Sequence, residues 1–120
     1  MYRNNAVVVK SLEFAVRAVN LYKHLVNEKR EQVMSKQLLR SATSIGANAK
    51  EASYAQSRND FISKLSIALK EAAETEYWLE LLSRTGYLTQ REYVSMQKDC
   101  GELAKILIAT LKSTKRHKDL

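Results

Sequence analysis

The chain has 120 residues with no Pro, three Gly and one Cys, and its 20 Lys and Arg outnumber 13 Asp and Glu to leave a formal charge of +7. A length of this order predicts one domain, residues 1–120, able to bury a core without disulfides or a structural metal, and the Pro-free composition predicts long helices in an all-α fold. Cys100 has no partner for an intramolecular disulfide, no leader pattern opens the chain, and the longest wholly apolar runs are four residues against the roughly 20 that cross a bilayer, so a cytoplasmic protein without membrane association is expected.

Residues 1–9 contain Val7-Val8-Val9, a β-branched triplet that a helix tolerates poorly, and an extended or frayed lead-in is expected there. The first helix is predicted over 11–27. Leu12, Ala15, Val19, Tyr22 and Val26 keep a three-and-four spacing, and Phe14, Val16, Leu21 and Leu25 widen that stripe. Asn27-Glu28-Lys29-Arg30-Glu31 is an unbroken polar run and reads as the first turn, with Asn27 suited to the left-handed conformation that ends many helices.

The second helix is predicted over 32–55. Leu38, Ala42, Ile45, Ala49 and Ala52 form its core line, and Lys36, Arg40, Ala47 and Glu51 lie opposite. Small residues crowd this helix, among them Ser41, Thr43, Ser44, Gly46 and Ala47, so neighbouring backbones can approach it from more than one side.

Ser57 with Asp60 three residues later marks the start of a third helix. Phe61, Leu65, Ala68, Ala72, Thr75, Leu79 and Leu82 form the most regular seam of the chain, and Gly86 closes it. Thr89 and Glu92 are a full capping box, and Leu88 with Tyr93 has the spacing of a hydrophobic staple. The fourth helix therefore begins near Gln90, with Tyr93, Met96, Cys100, Leu103 and Leu107 on its seam, and runs into a basic tail expected to fray over 113–120. Four amphipathic helices joined by short turns predict an antiparallel up-and-down four-helix bundle. On the third helix Ile67, Tyr77, Trp78 and Leu81 lie away from the seam, which predicts a second interface and a homo-oligomer.

Lys10 to Ala15, the Q-L-L-R-S-A-T-S-I-G-A-N run from Gln37 to Asn48, Asp60-Phe61-Ile62, Ile67 to Glu71 and Glu76 to Leu82 together resemble the bacterial four-helix-bundle protein family, also known as the large-subunit ribosomal RNA intervening-sequence proteins. The resemblance spans roughly residues 10 to 112. The chain departs from the family in carrying Ala49 where Ile or Val is common after the Asn. The resemblance implies an antiparallel bundle assembling into a ring, with a pentamer favoured. It also implies a binding role without catalytic residues, since some members are encoded within intervening sequences of ribosomal RNA genes and similar proteins act with nucleic acid and a reverse transcriptase in diversity-generating retroelements.

The residues themselves offer little to catalysis. Glu51, Glu71, Glu74 and Glu76 lack the Glu-x-x-His pairs of a bundle metal site, because the only histidines are His24 and His117. No Ser or Cys has a His at helical spacing, Cys100 sits on a core seam, and Gly46, Gly86 and Gly101 are isolated, so neither a nucleophilic centre, a phosphate loop nor a cofactor is expected. The basic balance points to phosphate contacts from Lys36, Arg40, Lys50, Arg58, Lys64, Lys115, Arg116 and Lys118, with RNA or DNA as partner and no motif for base-specific reading. Arg40 has a structural alternative, an ion pair with Glu51 or a carboxylate of the third helix. Ser44, Ala47, Asn48, Ile67, Tyr77, Trp78 and Leu81 are the candidate subunit interface. The competing expectation is a scaffold that binds another protein through a groove beside Tyr77 and Trp78.

Overall fold

A computed structural model describes residues 5–116. Four α-helices follow one another, α1 (Asn5–Asn27), α2 (Val33–Ala52), α3 (Arg58–Arg84) and α4 (Gln90–Arg116), and the described residues contain no strand. Each helix packs on its neighbours in sequence, and α1 closes the bundle against α4 through much the smallest of the four interfaces. The result is a rod of 51 × 20 × 18 Å, consistent with 27-residue helices of roughly 40 Å at a rise of about 1.5 Å per residue.

The seams of α3 and α4 form as the periodicity predicts. Phe61, Leu65, Ala68, Ala72, Thr75, Leu79 and Leu82 are all buried, as are Met96, Cys100, Leu103 and Leu107, while Tyr93 at the start of the α4 seam is partly buried against the core and Leu111 extends the buried line. The Ser57 hydroxyl accepts the Asp60 N–H at 3.0 Å, and Gly86 takes a φ of +86° just past α3. The Thr89 capping box is closed both ways: Thr89 N–H donates to Glu92 Oε1 at 2.8 Å, and Glu92 N–H donates to the Thr89 hydroxyl at 3.1 Å.

Three expectations are corrected. First, α1 begins at Asn5, not near Ser11, and the β-branched triplet is helical. Val7 is only 1% exposed, and its burial, worth roughly 1.5–3 kcal/mol, outweighs a propensity penalty of at most about 0.7 kcal/mol per residue. Second, the buried line of α1 is Val7, Ser11, Phe14, Ala18 and Leu25, one residue back from the Leu12 line and so turned by about 100°. Leu12 and Val16 face outward at 64% and 54% exposure. The rotation follows from close packing at Gly46: a Cβ there would lie 3.4 Å from the Ser11 carbonyl and hydroxyl oxygens, a fit that Leu in place of Ser11 would not allow. Third, α4 continues through residues 113–116, with Leu111 buried below the last turn and Arg58 donating from Nε to the Thr114 carbonyl at 3.2 Å. Residues 1–4 and 117–120 lie outside the described residues.

The first turn holds a feature that charge alone hides. Arg30, not Asn27, takes the left-handed conformation at φ 56°. It folds Glu31 back beneath α2, where its carboxylate accepts the N–H groups of Val33 at 3.0 Å, Met34 at 3.1 Å and Ser35 at 2.8 Å, and the Ser35 hydroxyl at 2.6 Å. Glu31 is 7% exposed. Burial works against its charge, but the Ser35 hydroxyl and these three N–H groups outweigh it and hold the carboxyl below the ordinary glutamate range. A negative charge set on the unpaired amides of a helix N-terminus also opposes the helix dipole favourably.

Candidate nucleic-acid interface

Helix α2 divides the candidate cations into bound and free. Arg40 reaches across to α3, with Nη2 2.5 Å from Glu74 Oε2 and 3.4 Å from Glu71 Oε1. The Arg40 hydrogen bond, helped by the Trp78 indole N–H donating to Glu74 Oε2 at 3.0 Å, lowers the pKa of the Glu74 carboxyl. At the next residue, the Ser41 hydroxyl is buried 2.9 Å from the Thr75 hydroxyl, which also bonds the Glu71 carbonyl at 2.8 Å. Arg40 and Ser41 therefore tie α2 to α3. Lys64 is likewise occupied, 3.0 Å from Glu51 Oε1. Glu71 Oε1, though within ion-pair distance of Arg40, receives no hydrogen bond.

The candidate interface residues also sort by their neighbours. The Ser44 hydroxyl donates to the Arg40 carbonyl at 2.7 Å, and Asn48 Nδ2 donates to the Ser44 carbonyl at 2.8 Å, so both serve their own helix. Trp78, expected on an uncovered face, is partly buried against the core with its ring edge-on to Tyr77 at 5.0 Å between centroids. Leu81 is also half-buried, leaving Ile67 and Tyr77 as the exposed apolar residues of that α3 group. Ala47 is exposed and lines an apolar groove between α1 and α2 with Val8, Leu12, Ala15, Thr43, Gly46 and Lys50. The outward turn of Leu12 makes one wall of this groove, which sequence periodicity missed.

Helix direction brings four of the candidate cations, Lys50, Arg58, Lys115 and Arg116, to one end. With α2 and α4 running opposite to α3, the end of α2, the start of α3 and the end of α4 meet at one end of the rod. Arg58 fixes this corner, donating to the Thr114 carbonyl and, from Nη2, to the Lys115 carbonyl at 3.4 Å. Its guanidinium thereby satisfies carbonyls that α4 leaves open at its C-terminus. Lys50, Arg58, Lys112, Lys115 and Arg116 stand here, and none has a carboxylate partner among the described residues. Two carboxylates near this corner in sequence have other partners: Glu51 pairs with Lys64, and Asp60 accepts the Gln56 N–H at 3.2 Å. Lys36 is exposed but sits near the start of α2, at the opposite end, together with Lys23, Lys29, Arg30 and Arg91, which also lack ion pairs among the described residues and stand among Glu28, Glu31, Glu80 and Glu92. Lys118 lies outside the described residues.

The described residues hold no group of three or more His, Cys, Asp or Glu able to bind a metal ion, and no helix is long and apolar enough to cross a membrane. Cys100 is buried, its thiol 3.5 Å from the Ala72 carbonyl and pushed up to about 12, chiefly by burial. A thiol held protonated is a poor nucleophile.

The molecule is thus an α-helical bundle whose polar α2 surface is largely self-satisfied and one end of which groups Lys50, Arg58, Lys112, Lys115 and Arg116 without ion-pair partners among the described residues. The chain belongs to the 23S rRNA-intervening sequence protein family, whose model matches residues 3–109. It is similar to a crystal structure of a protein of unknown function from the S23 ribosomal protein family of Bacteroides thetaiotaomicron VPI-5482, with a TM-score of 0.89 and 67% identity over 90% of this chain and 96% of that one. No curated protein matches the chain.

Proposed function

We propose that the chain is a non-catalytic, ring-forming protein that binds nucleic acid or a ribonucleoprotein through the basic end of the bundle. The observation that supports this is the grouping of Lys50, Arg58, Lys112, Lys115 and Arg116 at one end with Glu51 and Asp60 already engaged. Unpaired cations fixed by rigid helices attract phosphate and release its counterions without reading sequence. Arg40 and Lys64, bound to carboxylates, contribute less than their charge implies. The family description names 23S rRNA, which makes RNA the first probe.

Self-assembly would multiply this charge. The exposed Val9, Leu12 and Val16 of α1 beside the small Gly46 and Ala47 of α2 form an apolar face that a second copy would cover. Light scattering should give a multiple of the 13.7 kDa chain mass, and Leu12→Glu should reduce it. A monomer at micromolar concentration would remove the ring from this reading.

Binding itself is tested by fluorescence polarisation with a mixed-sequence RNA at low salt. The triple variant Lys112→Glu, Lys115→Glu, Arg116→Glu should abolish binding, whereas Lys36→Glu at the far end should leave it within about twofold. Equal losses from both variants would refute the assignment to this end, and no binding by the native chain would refute nucleic-acid recognition.

A further inference from the structure

We infer that Tyr54 is a stacking platform for an unpaired base, making single-stranded nucleic acid the preferred ligand of the basic end. This inference rests on the nucleic-acid reading above and adds the form of the ligand. Tyr54 occupies the turn between α2 and α3 and is 74% exposed. Its backbone is nonetheless fixed, because Ser53, Tyr54 and Ala55 donate to the carbonyls of Lys50, Glu51 and Ala52 at 3.1, 3.0 and 3.1 Å. The ring is held out from a rigid corner.

Lys50 Nζ lies 5.9 Å from the ring centroid. Arg58, four residues further on, links the same corner to the end of α4. The exposed ring therefore carries one cation, Lys50, over one face and stands at the end of the rod where Arg58 holds the basic C-terminus of α4. This is the arrangement that single strands require, with phosphates neutralised along the edge and a base free to lie on a π-face. A duplex satisfies the cations equally well but keeps its bases stacked internally, so Tyr54 distinguishes the two.

The test uses the full chain and three labelled oligonucleotides of equal length: a mixed-sequence single strand, its duplex, and an abasic strand with the same number of phosphates. Polarisation at one fixed salt concentration should show the native chain binding the single strand more tightly than the abasic strand. Tyr54→Ala should weaken single-strand binding by about 5- to 150-fold, the range of one lost stacking contact, and leave abasic and duplex binding unchanged. Tyr54→Phe should retain most of the affinity. Equal affinities of the native chain and Tyr54→Ala for the single strand, or an equal loss on the abasic strand, would overturn the stacking role while leaving charge-based binding intact. No binding of any oligonucleotide by the native chain would overturn both. Because the side chain is exposed and outside the core, an unchanged thermal midpoint is expected for both variants and separates stacking from misfolding.

Discussion

Replacing Glu31 by Gln should reveal how much of the fold depends on one buried carboxylate. Glu31 accepts four hydrogen bonds at the start of α2, all between 2.6 and 3.1 Å. Gln keeps the shape and one acceptor oxygen, but it removes the charge and turns the other acceptor into a donor facing N–H groups. Loss of a helix cap costs roughly 0.5–2 kcal/mol, and a buried donor left unsatisfied adds about 1–3 kcal/mol, so a destabilisation of about 1.5–5 kcal/mol is expected. At roughly 2.1 cal/mol/K of unfolding entropy per residue, that lowers the thermal midpoint of a 120-residue chain by about 6–20 °C. The pH dependence gives a second readout. Because folding lowers the pKa of Glu31, the stability it contributes is fully present above the ordinary glutamate range and is lost as pH falls through the lowered value. The native chain should therefore begin to lose its advantage over Glu31→Gln as pH falls below about 4.5 and lose more as pH approaches the lowered value. Circular-dichroism melts from pH 3 to 7 would measure this. Equal midpoints at pH 7, or a difference that persists unchanged at pH 3, would refute the role assigned to Glu31.

Other consequences follow from packing and backbone geometry. Leu65→Ala and Leu103→Ala, at fully or nearly fully buried positions, should each cost about 2–5 kcal/mol in denaturant unfolding. Cys100 should resist a thiol reagent in the native state at pH 8 and react at once in denaturant, as its raised pKa and burial require. Gly101 has open space where a Cβ would lie, so Gly101→Ala should stabilise the chain by about 0.5–1 kcal/mol, whereas Gly86→Ala, at φ +86°, should destabilise it by about 1–2 kcal/mol. Chemical denaturation of the pair would show opposite signs.

The bundle was legible where one pattern dominated. In α3 a seven-residue line keeps an unbroken four-and-three spacing and every member of it is buried, and the caps at Ser57 and Thr89 are local chemistry, so the elements they begin can be placed from the chain alone. Helix α1 carries Val, Leu and Ala on several faces. Its orientation is set by Ser11 fitting against Gly46, a contact between residues 35 positions apart that periodicity does not encode. Glu31 was hidden for a related reason. A carboxylate within a polar run reads as solvated, and only the following Ser35, one helical turn on, hints at the cap.

The candidate site was legible as a set of cations but not as a place. Arg40, Lys64 and Lys50 look alike in sequence, and only the packing of α2 on α3 shows that Glu74 and Glu51 occupy the first two. Tyr54 carries no mark in the sequence, because an aromatic residue in a turn between helices has no periodicity. The signal lay in its neighbours, Lys50 and Arg58, each four residues away.

The salt dependence of binding tests the central claim most directly. Polarisation of the mixed-sequence RNA should be recorded with the native chain between 50 and 200 mM salt. If four to five cations of the basic end meet phosphate in each subunit, the logarithm of the affinity should fall linearly with the logarithm of salt concentration, losing roughly 50- to 500-fold over that range. An affinity that holds constant across the range would contradict a phosphate-binding end.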